Sequence, residues 1–163
     1  CSSDLMGMQV AHLGIAVFVI GVTMVGAYQE EKDVRMSAGD TVSVGGYLIQ
    51  LQGVNAARGP NYQAMRGTFL LSKNGGNQTS LYPEKRSYFS SSMPMTEAAI
   101  DAGLTRDIYV SLGEELGDQS WAVRVYYKPF VDWIWGGCLL MVLGGVLAIS
   151  DKRYRMKLKS KFS

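Results

Sequence analysis

Cysteine and histidine are scarce in this chain of 163 residues, which contains two cysteines and one histidine. Cys1 and Cys138 form no CxxC motif and no Cys/His cluster, so the sequence offers neither a zinc ligand set nor a disulfide framework. With His12 as the single histidine, no Ser/His/Asp arrangement is evident either. Cys138 lies in an apolar run, where a thiol usually packs as a small hydrophobic side chain.

The chain also has no large excess of positive or negative charge. Lys and Arg number 16 against 14 Asp and Glu, and the formal net charge is +2. Nucleic-acid binding requires clustered positive charge that neutralises phosphates, so this balance argues against a nucleic-acid partner. The average composition hides a blocky arrangement, in which two apolar stretches enclose the mixed polar segment 28–129.

The two apolar stretches, residues 5–27 and 130–150, are predicted to be transmembrane helices. The first contains no Asp, Glu, Lys or Arg, and at 1.5 Å per residue it spans about 34 Å, enough for a bilayer core of about 30 Å. Phe130, Trp133 and Trp135 crowd the start of the second stretch, as in the aromatic belt of a membrane interface. Because a membrane segment follows Cys1 almost at once, we expect a piece of a longer chain rather than a mature lipoprotein.

The tail 151–163, DKRYRMKLKSKFS, predicts the orientation of the two spans. Short basic flanks stay on the cytoplasmic side of a membrane. The tail is therefore expected to be cytoplasmic, and segment 28–129 is expected to lie outside, in a periplasm or an equivalent space. A nucleic-acid or lipid-binding patch is the alternative interpretation of the tail.

The outer segment is predicted to be rich in β-strands. Residues 40–54, DTVSVGGYLIQLQGV, alternate apolar and polar side chains around Gly45-Gly46, and residues 65–82 contain a strong hairpin signal at Asn74-Gly75-Gly76. Further strand candidates are KRSYF, RDIYVSLG and WAVRVYYK, while MPMTEAAIDAG (93–103) is typical of a short helix. The predicted fold class is therefore two transmembrane helices flanking a small β-rich domain. A barrel or a sandwich would fit, and an OB-like barrel is the first expectation.

His12 is the most informative residue of the first span. A polar side chain in the bilayer costs several kcal/mol unless it finds a partner, and it usually faces the interior of a helix bundle. Gln9 lies on the same helix face, and Gly14 and Gly21 allow a close approach by another helix. His12 could hydrogen-bond to a neighbouring helix, ligate haem iron axially, or relay protons. A haem with two axial ligands would need its second ligand from elsewhere, since the chain has no second histidine.

Several sequence blocks resemble one known family, in the order in which that family carries them. They are GMQVAHLGIAVFVIGVTMVGAY, EKDVRMSAGDTVSVGGY, GPNY, PEKRSYF, MPMTEAAIDAGLTRDIYVSLGE, WAVRVYYKPFVDWIWGG and MVLGGVLAISDKRYR. Together they resemble the C-terminal end of the CcmF family, the large membrane subunit of the cytochrome c maturation haem lyase. The resemblance covers nearly the whole chain, about residues 6–155.

The resemblance implies a multi-spanning protein of the bacterial inner membrane that helps to join haem covalently to the CxxCH cysteines of apocytochrome c. It implies the haem chaperone CcmE and the subunits CcmH and CcmI as partners, beside the lipid bilayer and the remaining transmembrane helices. It also implies a haem b in the membrane held by two histidines, one of which would be His12 in the matching AHLG motif. A paralogous subunit serves nitrite reductase maturation, and the sequence leaves the choice between the two systems open.

One part of the family pattern is absent from this chain. The tryptophan-rich haem-handling segment and the family's other histidines are missing, and Trp121, Trp133 and Trp135 do not reproduce that segment. We therefore expect this chain alone to be inactive as a lyase. The alternative function is a non-catalytic two-span assembly factor whose outer β domain docks partner proteins. Four cations of that domain could meet haem propionates or partner subunits, or could be ordinary surface charge: Arg58, Lys85, Arg86 and Arg106.

Overall fold

The structure, a computed structural model, describes residues 2–73, 75–76, 78–91 and 93–150. The described chain contains two helices and ten strands, and it divides into a helical unit and a β unit that spans Gln29–Lys128. The tail 151–163, which is predicted to be basic and cytoplasmic, lies outside the described residues.

The helical unit is an antiparallel pair of α1 (Ser2–Tyr28) and α2 (Val131–Ile149). Both helices are long and apolar enough to cross a membrane, over Leu5–Tyr28 and Val131–Ile149. Glycine allows the two backbones to touch. A Cβ added at Gly14 would lie 2.8 Å from the carbonyl oxygen of Gly137, and one added at Gly144 would lie 2.7 Å from that of Gly7. Small residues at such contacts are typical of membrane helix pairs, because they let dispersion contacts form along the backbone.

The strands of the β unit are β1 (Glu30–Met36), β2 (Thr41–Val44), β3 (Tyr47–Arg58), β4 (Tyr62–Lys73), β5 (Gln78–Leu81), β6 (Glu84–Tyr88), β7 (Met95–Glu97), β8 (Ala99–Gly103), β9 (Arg106–Gly117) and β10 (Ser120–Pro129). They form two antiparallel sheets with the strand orders β1-β10-β9-β8 and β2-β3-β4-β6-β7, and β5 also pairs with β4.

Alternate residues of both sheets form one buried core. Ile49, Phe69, Ile108, Leu112 and Val125 are completely buried, and they come from strands of both sheets. Period-two alternation directs every second side chain into this core. The fold class is thus confirmed as two apolar helices flanking a β domain. The domain is a sandwich of two separate sheets and not the OB-like barrel expected first.

The predicted hairpin turns are present in the β unit. Gly45 and Gly46 join β2 to β3 with φ of 53° and 77°, a left-handed conformation that glycine adopts without steric cost. Strand β4 pairs with β5 around the Asn74-Gly75-Gly76 signal, of which Asn74 itself lies outside the described residues.

The helix predicted for residues 93–103 is wrong. Met95–Glu97 forms strand β7 against β6, and Ala99–Gly103 forms strand β8 against β9. The segment thus crosses from one sheet to the other, and the open edges of β6 and β9 give its backbone hydrogen-bond partners. Those tertiary contacts override the weak helix preference of its alanines. Strand β1 was not among the predicted strands, because its charged start EEKD is exposed at a sheet edge.

Candidate functional site

His12 lies in the middle of α1, on the side opposite its glycine stripe. Gly7, Gly14 and Gly21 face α2, whereas the side chain of His12 is exposed in the described chain. The residues that continue its face are also exposed: Gln9, Ala16, Val19 and Thr23. The partner that the sequence predicts for this face is therefore not α2.

The His12 ring has a defined orientation. Its Nδ1 lies 2.7 Å from the backbone oxygen of Met8, one helical turn earlier. A carbonyl oxygen only accepts, so Nδ1 carries the proton and donates it. The acceptor of this bond is thus the carbonyl of Met8 and not the side chain of Gln9 on the same helix face. Thr23 likewise donates from Oγ1 to the carbonyl of Val19, 2.8 Å away.

The donor set at this position fits an axial haem ligand. With Nδ1–H bound to Met8, the neutral ring keeps its lone pair on Nε2, the nitrogen farther from the backbone. A backbone acceptor on the opposite ring nitrogen fixes the tautomer and the ring orientation, as is usual for metal-binding histidines. Among the described residues no group of three or more His, Cys, Asp or Glu could hold a metal ion. The chain contains one imidazole, that of His12.

Of the four cations singled out in the outer domain, Arg58 and Lys85 line the same cleft, whereas Arg86 and Arg106 do not. Arg106 donates from Nε to the hydroxyl of Tyr47, 2.9 Å away, and pairs with Asp101. Lys85 pairs with Glu114 at 3.2 Å. Arg58 lies at the far tip of the β3–β4 hairpin. Most of their charge is thus used within the chain, which favours the interpretation as structural and surface charge.

Arg86 belongs to a charge cluster around the buried carboxylate of Glu84, which sequence reasoning missed. Glu84 is 5% exposed and accepts from Nε of Arg86 at 2.7 Å and from Nε of Arg66 at 2.6 Å. The bond from Arg86 holds the pKa of the Glu84 carboxyl below its ordinary value of 4.5, and the bond from Arg66 adds to this effect against the opposing influence of burial. Arg86 also stacks over the ring of Tyr62 at 4.6 Å. The cluster fixes β4 to β6.

An open cleft of about 690 Å³ lies at one end of the sandwich. One wall is formed by β3, β4 and β6 and includes the small side chains of Ala56, Ala57 and Ala64. Trp121 and the carboxylates of Glu114 and Glu115 line the other wall. No single motif marks this cleft in the sequence, because its residues come from several strands.

Comparison with known proteins identifies the family that this chain matches. Residues 27–129 match the family described as the CcmF C-terminal beta-sandwich. The chain is 54% identical over 155 residues to the cytochrome c-type biogenesis protein CcmF of Pseudomonas aeruginosa, covering 95% of this chain and 24% of that protein. It is 48% identical over 151 residues to CcmF of Escherichia coli, covering 93% of this chain and 23% of that protein.

Two further matches are to a paralogous protein and to a solved structure. The chain is 32% identical over 151 residues to the cytochrome c-type biogenesis protein NrfE of Haemophilus influenzae, covering 93% of this chain and 24% of that protein. A solved structure named cytochrome c heme lyase CcmF resembles the fold with a TM-score of 0.72 at 20% identity, over 90% of this chain and 24% of that one.

The chain thus spans about a quarter of the length of the relatives that it matches. The match over residues 27–129 covers the entire β unit, and the higher identities are to CcmF rather than to NrfE. The chain belongs to the CcmF family of cytochrome c biogenesis proteins and contains the C-terminal β-sandwich of that family.

Proposed function

We propose that this chain is the C-terminal portion of a haem lyase subunit and that His12 is one axial ligand of a membrane haem b. The observation that carries the ligand role is the geometry of the imidazole. Nδ1 is bound to the carbonyl of Met8 at 2.7 Å, so Nε2 is free to bind iron on a face that α2 leaves uncovered.

The bound haem would supply electron transfer that keeps an incoming haem iron reduced. The residues of this chain hold and orient it: His12 contributes the ligand, and the carbonyl of Met8 holds the ring. A second ligand would come from the remaining transmembrane helices. The thioether bonds to apocytochrome c form elsewhere in the complete protein, and this chain alone is inactive.

The orientation in the membrane follows from the distribution of charge. The tail 151–163 is cytoplasmic, because it carries a dense run of Lys and Arg directly after the second span. The β unit is then periplasmic, and the protein resides in the bacterial inner membrane. In that compartment the sandwich meets the haem chaperone CcmE and the subunits CcmH and CcmI. His12 is about 10 Å from the cytoplasmic end of its span.

An absorption spectrum of the complete protein in membranes tests the ligand role. The wild type should show the reduced spectrum of a low-spin b-type haem, and His12→Ala should lose it. Gln9→Ala is the matched control, because Gln9 shares the exposed face while the hydrogen bond of the His12 ring goes to Met8, and its spectrum should be unchanged. An intact spectrum in His12→Ala would eliminate the ligand role and favour the non-catalytic assembly factor, in which His12 only contacts a neighbouring helix.

A further inference from the structure

One long strand of the sandwich is paired along its whole length on one edge but only along its first part on the other. Strand β3 extends over Tyr47–Arg58, but β2 pairs only with its first part, from Tyr47 to Gln50. Leu51 is still bonded on that side, to Gly39 and Asp40. From residue 52 to residue 58, the strand order gives β3 a partner only on the β4 side. This part of β3 is therefore a free sheet edge in the described structure.

The hairpin geometry identifies the backbone groups that face the free edge. The amide of Gly59 donates to the carbonyl of Tyr62 at 2.9 Å, so residues 57 and 55 bond towards β4 in the alternating antiparallel pattern. The backbone groups of Val54, Ala56 and Arg58 consequently point away from β4. Gly67 is the partner of Val54 in the register of β3 and β4. Its amide donates to the carbonyl of Pro83, on the side of β4 away from β3, which agrees with this alternating pattern.

This edge lacks the usual protection against strand addition. Natural sheets cover such edges or place proline, lysine or a bulge on them. Here a register shift occurs between Leu51 and Gly53, but the following residues 54–57 are Val-Asn-Ala-Ala, without charge or proline. A row of alternate N–H and C=O groups at two-residue spacing is complementary to another extended backbone.

The cleft beside the edge has room and charge for side chains. Ala56, Met65 and Trp121 give it an apolar lining, and Lys85 is neutralised by Glu114. Arg58 and Glu115 also line it, and neither has an ion-pair partner among the described residues. A strand antiparallel to β3 would place its first residue near Arg58 and its last near Gly53, beside which Glu115 also lies. An acidic residue at the start and a basic residue at the end would therefore be complementary in charge.

We propose that the free edge of β3 and the cleft beside it bind an extended segment of another polypeptide by β-strand addition. The segment adds as an antiparallel strand along residues 54–58, with apolar side chains on Met65 and Trp121 and its acidic end at Arg58. This binding is independent of His12 and of any haem, so the spectral experiment above and the peptide experiment below can fail separately.

Fluorescence anisotropy of the capped, fluorescein-labelled peptide DVTVTVK with the complete protein in detergent tests the binding. Ala56→Pro removes the central outward N–H, while the bonds of β3 to β4 stay in place. It should weaken binding about tenfold, because one main-chain bond and its geometry are lost. Ala56→Ser keeps the N–H and is the matched control, with affinity as in the wild type. The peptide DVTPTVK should bind at least tenfold more weakly than DVTVTVK.

Two further measurements keep the test decisive if Ala56→Pro fails to fold. Arg58→Glu should weaken binding of DVTVTVK, and Lys73→Glu, at an exposed lysine outside the cleft, should leave it unchanged. In hydrogen exchange, the peptide should protect the amides of Ala56 and Arg58 but not that of Ala57, which is already bonded. Absence of binding to the wild type, or equal binding of DVTVTVK and DVTPTVK, would overturn the proposal.

Discussion

Gly14 and Gly137 meet backbone to backbone. A Cβ added at Gly137 would lie 2.7 Å from the carbonyl oxygen of Gly14 and 2.6 Å from the amide nitrogen of Phe18. No real side chain fits at such distances from main-chain atoms, so any substituent must push the helices apart. Dispersion contact along this stripe holds α1 to α2, since lipid provides little hydrophobic drive for association.

Gly137→Ala should therefore destabilise the helix pair by about 2 kcal/mol, as expected for overpacking at a tight contact. Gly136→Ala, one residue earlier, is the matched control, because a Cβ there meets nothing within 4 Å. The measurement is denaturant unfolding of the protein in detergent micelles. Equal stability of the two variants would mean that the helices do not touch at Gly137.

Gly45→Ala should cost more stability than Gly46→Ala. Both residues have positive φ, so each alanine pays about 1–2 kcal/mol for the left-handed conformation. Only at Gly45 would the new Cβ also collide with the ring of Tyr127, at 2.4 Å, whereas the space at Gly46 is open. Thermal unfolding of both variants measures the difference, and a larger loss for Gly46→Ala would contradict the packing of Tyr127 on this turn.

Glu84→Gln should destabilise the sandwich by about 3 kcal/mol, because it replaces a buried carboxylate that accepts from two arginines. Glu97→Gln is the control. Glu97 pairs with Arg86 at 3.5 Å, but its side chain is 44% exposed, so the loss should be much smaller. The comparison uses chemical denaturation at neutral pH. Similar losses of stability in the two variants would show that the burial of Glu84 does not strengthen its contribution.

The carboxylate of Glu84 should also make the free energy of unfolding depend on pH. The pKa of Glu84 in the folded state is below its ordinary value of 4.5, so the unfolded chain binds this proton more readily. The stabilisation is fully present above pH 4.5 and is lost as the pH falls from there through the folded-state pKa. Unfolding free energies measured from neutral pH down through this range should fall less steeply in Glu84→Gln than in the wild type.

His12→Ala should leave the stability of the helix pair within about 0.5 kcal/mol of the wild type when haem is absent, as is usual for substitutions away from packed contacts. His12 is exposed in the described chain and bonds only to its own helix. Unfolding of the haem-free protein in micelles checks this. A large loss would mean that the imidazole supports the fold and that a spectral change in the variant does not report ligation.

The sequence predicted those parts of the fold that depend on local patterns. The apolar runs identified both helices, and Gly45-Gly46 identified a turn that needs positive φ. The helix predicted for residues 93–103 was wrong because the helix preference of alanine is weak, and pairing with β6 and β9 decides the conformation of this segment instead. His12 could be singled out as an isolated polar residue in an apolar run. Its bond to Met8, the Glu84 cluster and the cleft depend on three-dimensional contacts that no spacing encodes.

The glycine stripe also fixes the register of α1 along α2. Gly7, Gly14 and Gly21 recur every seven residues, and each meets main-chain or side-chain atoms of α2. Sliding α1 by one turn, about 5.4 Å, would drive Val10 or Phe18 into the space that Gly14 occupies against Gly137. The height of the imidazole relative to α2 is consequently set by glycines on the far side of its own helix.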